Sequence, residues 1–167
     1  MSQTLYTNQF KQSAVIGQLD LESNPNPFVD TVRFDPTETS TTTIYEAEGV
    51  TLKDLGASDV NAAGVPVVSK RPYDYSRLFG VKIFNIKKNN NTPNDTFDIA
   101  RKGSVMYLQC GEAITRGTKV ALRLSAVGKV YAVTTGYAEV GVALDKGTTN
   151  DVIRVELTCD DTAVAAT

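Results

Sequence analysis

Two-residue alternation runs through the last two thirds of the chain. In Lys119-Val120-Ala121-Leu122-Arg123-Leu124, Val120, Leu122 and Leu124 fall on one side, while Lys119 and Arg123 fall on the other. In Val152-Ile153-Arg154-Val155-Glu156-Leu157, Ile153, Val155 and Leu157 oppose Arg154 and Glu156. A period of two sends alternate side chains to opposite faces of a strand, so each segment has one buried and one wet face. The pattern predicts strands over 65–69, 81–87, 97–100, 104–110, 119–125, 130–134, 139–144 and 152–158. Turn signals part them: Asn89 to Asp95, Arg101-Lys102-Gly103, Cys110-Gly111-Glu112, Arg116-Gly117, Val127-Gly128 and Asp145-Lys146-Gly147. Short strands at a spacing of roughly 8–12 residues, with no long helical period, predict an all-β chain. The expected architecture is a small β-barrel or β-sandwich-like domain.

A three-part motif occurs twice. The later copy is Gly117-Thr118-Lys119-Val120, then Val140-Gly141-Val142-Ala143-Leu144, then Asp151-Val152-Ile153-Arg154-Val155. The earlier is Gly64-Val65-Pro66-Val67-Val68, then Phe79-Gly80-Val81-Lys82-Ile83, then Asp95-Thr96-Phe97-Asp98-Ile99. The parts lie roughly 53 and 61 positions apart, as in repeats whose loops differ in length.

Upstream of Gly64 the character changes. Asn24-Pro25-Asn26-Pro27 interrupts regular structure, 28–34 alternates as a strand that Asp35-Pro36 stops, and Thr37 to Thr43 is polar. One or two short helices are expected, at 51–55 before Gly56 and at 58–63 with Ser58 as cap. The expected division is an extended N-terminal arm over 1–62, a barrel-like domain over 63–158 and a tail over 159–167. Phe10, Val15, Ile16, Leu19, Phe28 and Phe34 are scattered apolar anchors along the arm.

Composition narrows the chemistry. The chain has 167 residues and a net charge of −2, with no cationic surplus for phosphates, which disfavours nucleic acid. It holds no histidine, removing the commonest general base and metal ligand. The two cysteines, Cys110 and Cys159, have no neighbouring ligands for zinc; two thiols or one disulfide both remain open. No signal peptide is visible at the N-terminus, and no apolar run approaches the roughly 18 residues of a membrane helix. Asp145 to Asp151 invites a calcium reading, but Lys146 beside the first carboxylate favours a β-turn. Asp95 and Asp98 have no visible partner to split their pKa values into acid and base. No phosphate-loop pattern surrounds Gly103 or Gly117. Lys87-Lys88 and the asparagines after it are expected at a solvated hairpin tip. No enzyme activity, cofactor, metal or small-molecule substrate is expected.

The part from Gly64 to Leu157 resembles the capsid decoration, or structural cement, proteins of tailed bacteriophages. The residues that carry the resemblance are Gly103-Ser104-Val105, Gly111 to Val120, Val140 to Asp145 and Val152 to Leu157. The resemblance implies a virion protein on the outer surface of an icosahedral head. It implies partners in the major capsid protein and in itself, with a trimer favoured over a dimer, and the work of bridging neighbouring subunits. The alternatives are a head-fibre base or tail-associated β protein, and beyond those a carbohydrate-binding module. Tyrosine and arginine are favoured interface anchors, so Ser69 to Arg77 draws attention. The interface candidates are Phe28, Phe34, Arg71, Tyr73, Tyr75 and Arg77. Strand addition at 130–134 or 37–43 is a candidate mode.

Overall fold

A computed structural model of the chain describes residues 14–53, 65–72, 77–134 and 137–159. The strands are β1 (Val29–Phe34), β2 (Ile44–Tyr45), β3 (Gly49–Leu52), β4 (Val67–Lys70), β5 (Gly80–Lys82), β6 (Asn90–Asn91), β7 (Thr96–Ala100), β8 (Val105–Cys110), β9 (Lys119–Leu122), β10 (Lys129–Ala132), β11 (Glu139–Ala143) and β12 (Val152–Leu157). They close into two small barrels, β1-β4-β3-β5-β7 and β10-β8-β12-β11-β9, with β2 and β6 as a separate pair. No helix occurs among the described residues. Thr51 and Leu52, expected to open one, lie in β3, where pairing with β4 overrides local preference. Positions 54–64, which held the rest of both expected helices, lie outside the described residues.

The two barrels share one topology in the same chain order. β1 runs parallel to β4 and antiparallel to β7. β8 stands in the same relation to β10 and β12. β3 lies between β4 and β5 as β9 lies between β10 and β11. The pairs β5–β7 and β11–β12 complete the closures. The β2–β6 pairing of Ile44 with Asn91 reappears as a single bridge between Ile114 and Gly147.

This correspondence explains two parts of the sequence repeat and corrects the third. Gly80-Val81 on β5 matches Gly141-Val142 on β11, and β7 matches β12. The turns before those last strands are alike in detail. Thr92 donates through its N and Oγ1 to Asp95 Oδ2, and Thr148 does the same to Asp151 Oδ2. Asn94 and Asn150 take left-handed φ values of 77° and 73° at the same place in the two turns. The opening parts do not correspond. Gly64 lies outside the described residues, and Val67-Val68 sits on β4, whose counterpart is β10. The strand that matches β9 is β3, so the first copy starts at β1. Part of the stretch read as an arm therefore supplies β1, β2 and β3, and the 62/63 division falls inside the first barrel. The expected strand over 81–87 stops at Lys82, and a turn over 85–88 follows.

The barrels are fused rather than strung together. One apolar cluster joins Ala47, Leu78, Val81 and Ala100 of the first barrel to Met106, Leu108, Val120, Leu122 and Val155 of the second. A smaller cluster of Val32, Phe34, Ile44, Val50, Val68, Phe97 and Ile99 fills the far end of the first barrel. Arg71 Nη2 crosses the junction and donates to the Leu122 carbonyl.

Residues 15–24 lie across this junction as a strap. Gly17 N donates to Tyr107 O at 2.8 Å, Tyr107 N to Gln18 O at 2.8 Å and Asp20 N to Val105 O at 2.9 Å. On the other side Phe84 N donates to Gly17 O at 2.9 Å. Gly17 has φ +83°, and the Ala47 and Phe84 backbone nitrogens lie beside it, so a side chain there would meet both strain and backbone. Arg154 anchors the strap's far end: its Nη1 reaches Ser23 Oγ at 2.9 Å and Asp20 Oδ2 at 3.6 Å, while Asp145 holds the rest of the guanidinium.

Candidate partner-binding surface

The predicted interface residues scatter. Phe34 is sealed in the first barrel's core, in phase with Val32 on the inward side of β1, and is closed to a partner. Arg71 is 2% exposed and spans the barrel junction, so it serves the fold rather than a surface. Tyr73 and Tyr75 lie outside the described residues. Arg77 is exposed. Phe28 is 66% exposed. Of the two expected edges, β10 has strand neighbours on both sides. The threonine run turns back on itself, with Thr42 N donating to Thr39 O and the two hydroxyls 2.7 Å apart.

Phe28 does mark a surface. Its carbonyl accepts from Arg101 N at 2.8 Å and Ser104 Oγ at 2.9 Å, which fixes the chain at the entry to β1. Arg101 Nη1 pairs with Asp30 Oδ2 at 2.6 Å, and its guanidinium lies 3.7 Å from the Phe79 ring centre. Phe28, Val29, Asp30, Arg101 and Lys102 line an open groove of about 350 Å³. A planar cation held at once by a carboxylate and a ring has little freedom, so the groove is pre-shaped. Sequence reasoning found Phe28 but missed Val29, Asp30, Arg101 and Lys102. Val29 and Asp30 open β1 while Arg101 and Lys102 follow β7, so only the β1–β7 pairing brings them together and no local pattern marks them.

Several charged groups elsewhere are committed to structure. Burial by itself raises the Asp95 pKa, but bonds from Lys88 and Thr92 outweigh it and hold the carboxyl below its ordinary range. Asp98 accepts from Thr31 Oγ1 at 2.7 Å. Asp145 is tied to Arg154 and Asp151 closes its own turn, which leaves the supposed calcium loop as a β-turn. Among the described residues no cluster of three potential metal ligands forms. Lys82 is 1% exposed, and burial pushes its pKa down against the pull of Glu46 and Glu48; its Nζ donates to Asn89 O at 3.2 Å. Cys110 and Cys159 are both buried, and no disulfide joins them.

No protein-family model and no curated protein matches the chain. Among solved structures, the head fiber gp8.5 N base in bacteriophage phi29 is similar at a TM-score of 0.48 and 7% identity, over 81% of this chain and 97% of that one. At that score the likeness carries no functional reading.

Proposed function

We propose that this chain is a non-enzymatic structural protein of a tailed-bacteriophage head, a decoration protein that sits on the outer shell and bridges neighbouring capsid subunits. The observation that supports this reading most is where the resemblance residues lie. Gly103 to Val105, Gly111 to Val120, Val140 to Asp145 and Val152 to Leu157 all fall on the second barrel, supplying β12, most of β11, the starts of β8 and β9 and the turns at the rim. The same barrel is repeated upstream, and the pair shares a core. Two fused modules of like fold and unlike surface suit a clamp: each can face a different subunit, and no hinge between them dissipates the binding. A protein that binds the mature lattice better than its precursor or free subunits stabilises the shell by mass action. An interface of about 1,200–2,000 Å² per contact suffices, and many copies act together.

The test mixes purified protein with undecorated mature capsids and images the product. Ordered density at fixed symmetry positions on the outer surface, with shells that resist higher temperature, is the expected result. Absent or random density sinks the proposal. Density confined to fibre attachment points moves the protein to a fibre base.

A further inference from the structure

We propose that the outer edge of β1 at Val29–Thr31 is a strand-addition site for an extended segment of a different polypeptide, one carrying a basic side chain opposite Asp98. The tandem fold supplies its own precedent. Val29 and Thr31 pair across the first barrel with Ala100 and Asp98; Val105 and Tyr107 pair across the second with Glu156 and Arg154. Val29 and Thr31 are thus the first-barrel equivalents of Val105 and Tyr107. In the second barrel the strap covers that edge, bonding the N–H and C=O of Tyr107 and the C=O of Val105.

In the first barrel the equivalent edge is open among the described residues. Phe34 N donates to Asp95 O and Arg101 N to Phe28 O, so the even-numbered residues of β1 bond to the β7 side. Arg33 N donates to Pro66 O, so the odd-numbered residues point the other way, toward β4. Along a parallel ladder the next donor toward Thr31 C=O would be the N of residue 66, and proline has none. The ladder therefore stops at Arg33, matching the two-residue register of β1 with β4. Thr31 is exposed and Val29 is 42% exposed. Unpaired strand groups facing water are a template for another strand. The groove lined by Phe28 and Val29 adjoins this edge and offers an apolar side chain a place.

Charge selects the occupant. The strap's Asp20 lies 3.6 Å from Arg154 Nη1. The residue of the first barrel equivalent to Arg154 is Asp98, an exposed carboxylate. A second copy's strap would bring Asp20 against Asp98, and like charges at one cross-strand site disfavour pairing. The complementary segment is extended and basic where Asp20 stands, opposite Asp98. On the reading above it belongs to a capsid subunit, yet the edge geometry does not depend on that.

The test uses the full chain and two synthetic peptides: the strap sequence 15–20, and the same peptide with D20K. Amide exchange followed by NMR should show Thr31 exchanging fast and Tyr107 protected in the free protein. The D20K peptide should shift the resonances of 29–31 and slow Thr31 exchange. It should bind about tenfold tighter than the unchanged peptide at low salt. T31P removes the outward N–H together with the hydroxyl that donates to Asp98, and should abolish binding, whereas T31V removes the hydroxyl alone and should keep it. D98K should reverse the peptide preference whether or not T31P folds. Protection of Thr31 in the free protein, silence at 29–31 up to millimolar D20K peptide, or equal binding of both peptides overturns the proposal. No capsid enters the experiment, so its failure and that of the capsid reading are separate results.

Discussion

Gly80 and Gly141 occupy the same place in the two barrels, and neither has a positive φ. What they supply is space. A Cβ on Gly141 would strike the Glu156 carbonyl oxygen and lie 2.8 Å from Val155 Cγ1. One on Gly80 would lie 2.8 Å from the Ala100 carbonyl oxygen and 2.7 Å from Ile99 Cδ1. Ala100 and Glu156 are themselves equivalent, so the same backbone group excludes a side chain in both copies. A backbone oxygen inside a closed sheet cannot swing away; the strands must part. Overpacking of this kind costs about 1–3 kcal/mol, and a backbone obstacle puts Gly141→Ala at about 3 kcal/mol. The stiffer unfolded chain returns about 0.4–1 kcal/mol against wild type. The net, about 2 kcal/mol, lowers Tm by about 4–8 °C for a chain of this size. Gly80→Ala should cost somewhat less, because Ile99 Cδ1 can rotate. Gly117→Ala separates space from conformation: nothing lies near its Cβ, but φ is +83°. That strain is worth about 1–2 kcal/mol. Thermal and urea unfolding by circular dichroism check all three variants. Because one apolar cluster spans both barrels, Gly80→Ala and Gly141→Ala should move a single common transition. A Gly141→Ala protein as stable as wild type, or two separate transitions, refutes the reasoning.

Two further outcomes follow from buried groups. Burial by itself raises the Asp35 pKa, but bonds from Lys53 and Thr37 outweigh it and hold it below 3.8. Its stabilisation is therefore present above pH 3.8 and lost as pH falls through the folded value. Asp35→Asn should flatten the acid limb of the stability curve; a limb parallel to wild type between about pH 4 and 2 contradicts this. Burial first, and Asp151 second, push the Cys110 thiol up to about 11. Roughly one molecule in a thousand is thiolate at pH 8, so Ellman's reagent should label Cys110 only as the protein unfolds. Labelling of native protein within seconds would show the site to be open.

Much of the second barrel was legible because its strands announce themselves by alternation and its turns by glycine. Ile153, Val155 and Leu157 are buried as their phase requires. The first barrel was harder to see. Its β1 has only distant partners, in β4 and β7, and nothing local distinguishes it from an isolated extended stretch. The double Asn-Pro turn before it and the threonines after it look like an arm, and pairing across the barrel decides otherwise. Unequal loops also hid the repeat's true register: Gly64 could be set against Gly117 by motif, but only the ladders show β3 as the counterpart of β9. Phe34 was misplaced for a simpler reason. Phe34 shares the inward face of its own strand with Val32, and that phase, not its aromatic ring, decides its place. The edge of β1 that is open among the described residues was not legible at all, because it depends on the donor that Pro66, just ahead of β4, lacks.

The duplication supplies an internal comparison that separates what the barrel demands from what each copy does. Positions alike in both copies are those the closure requires: the glycine facing a neighbouring carbonyl, and the Thr-x-Asn-Asp turn with its left-handed asparagine. Positions that diverge lie where the copies face different surroundings. Met106 and Arg154, which meet Leu19 and Asp20 of the strap, stand where the first barrel has Asp30 and Asp98. The second barrel is thus tuned to a segment of its own chain, with an apolar contact and an ion pair. The first has the opposite charge at the equivalent position, which excludes that segment and leaves the edge for another. A strand edge that remained open only by neglect would be expected to keep the strap's own charge pattern or to carry blocking lysines along it. The reversal of sign at Asp98 sets a like charge against the strap's Asp20 and so disfavours self-pairing at this edge.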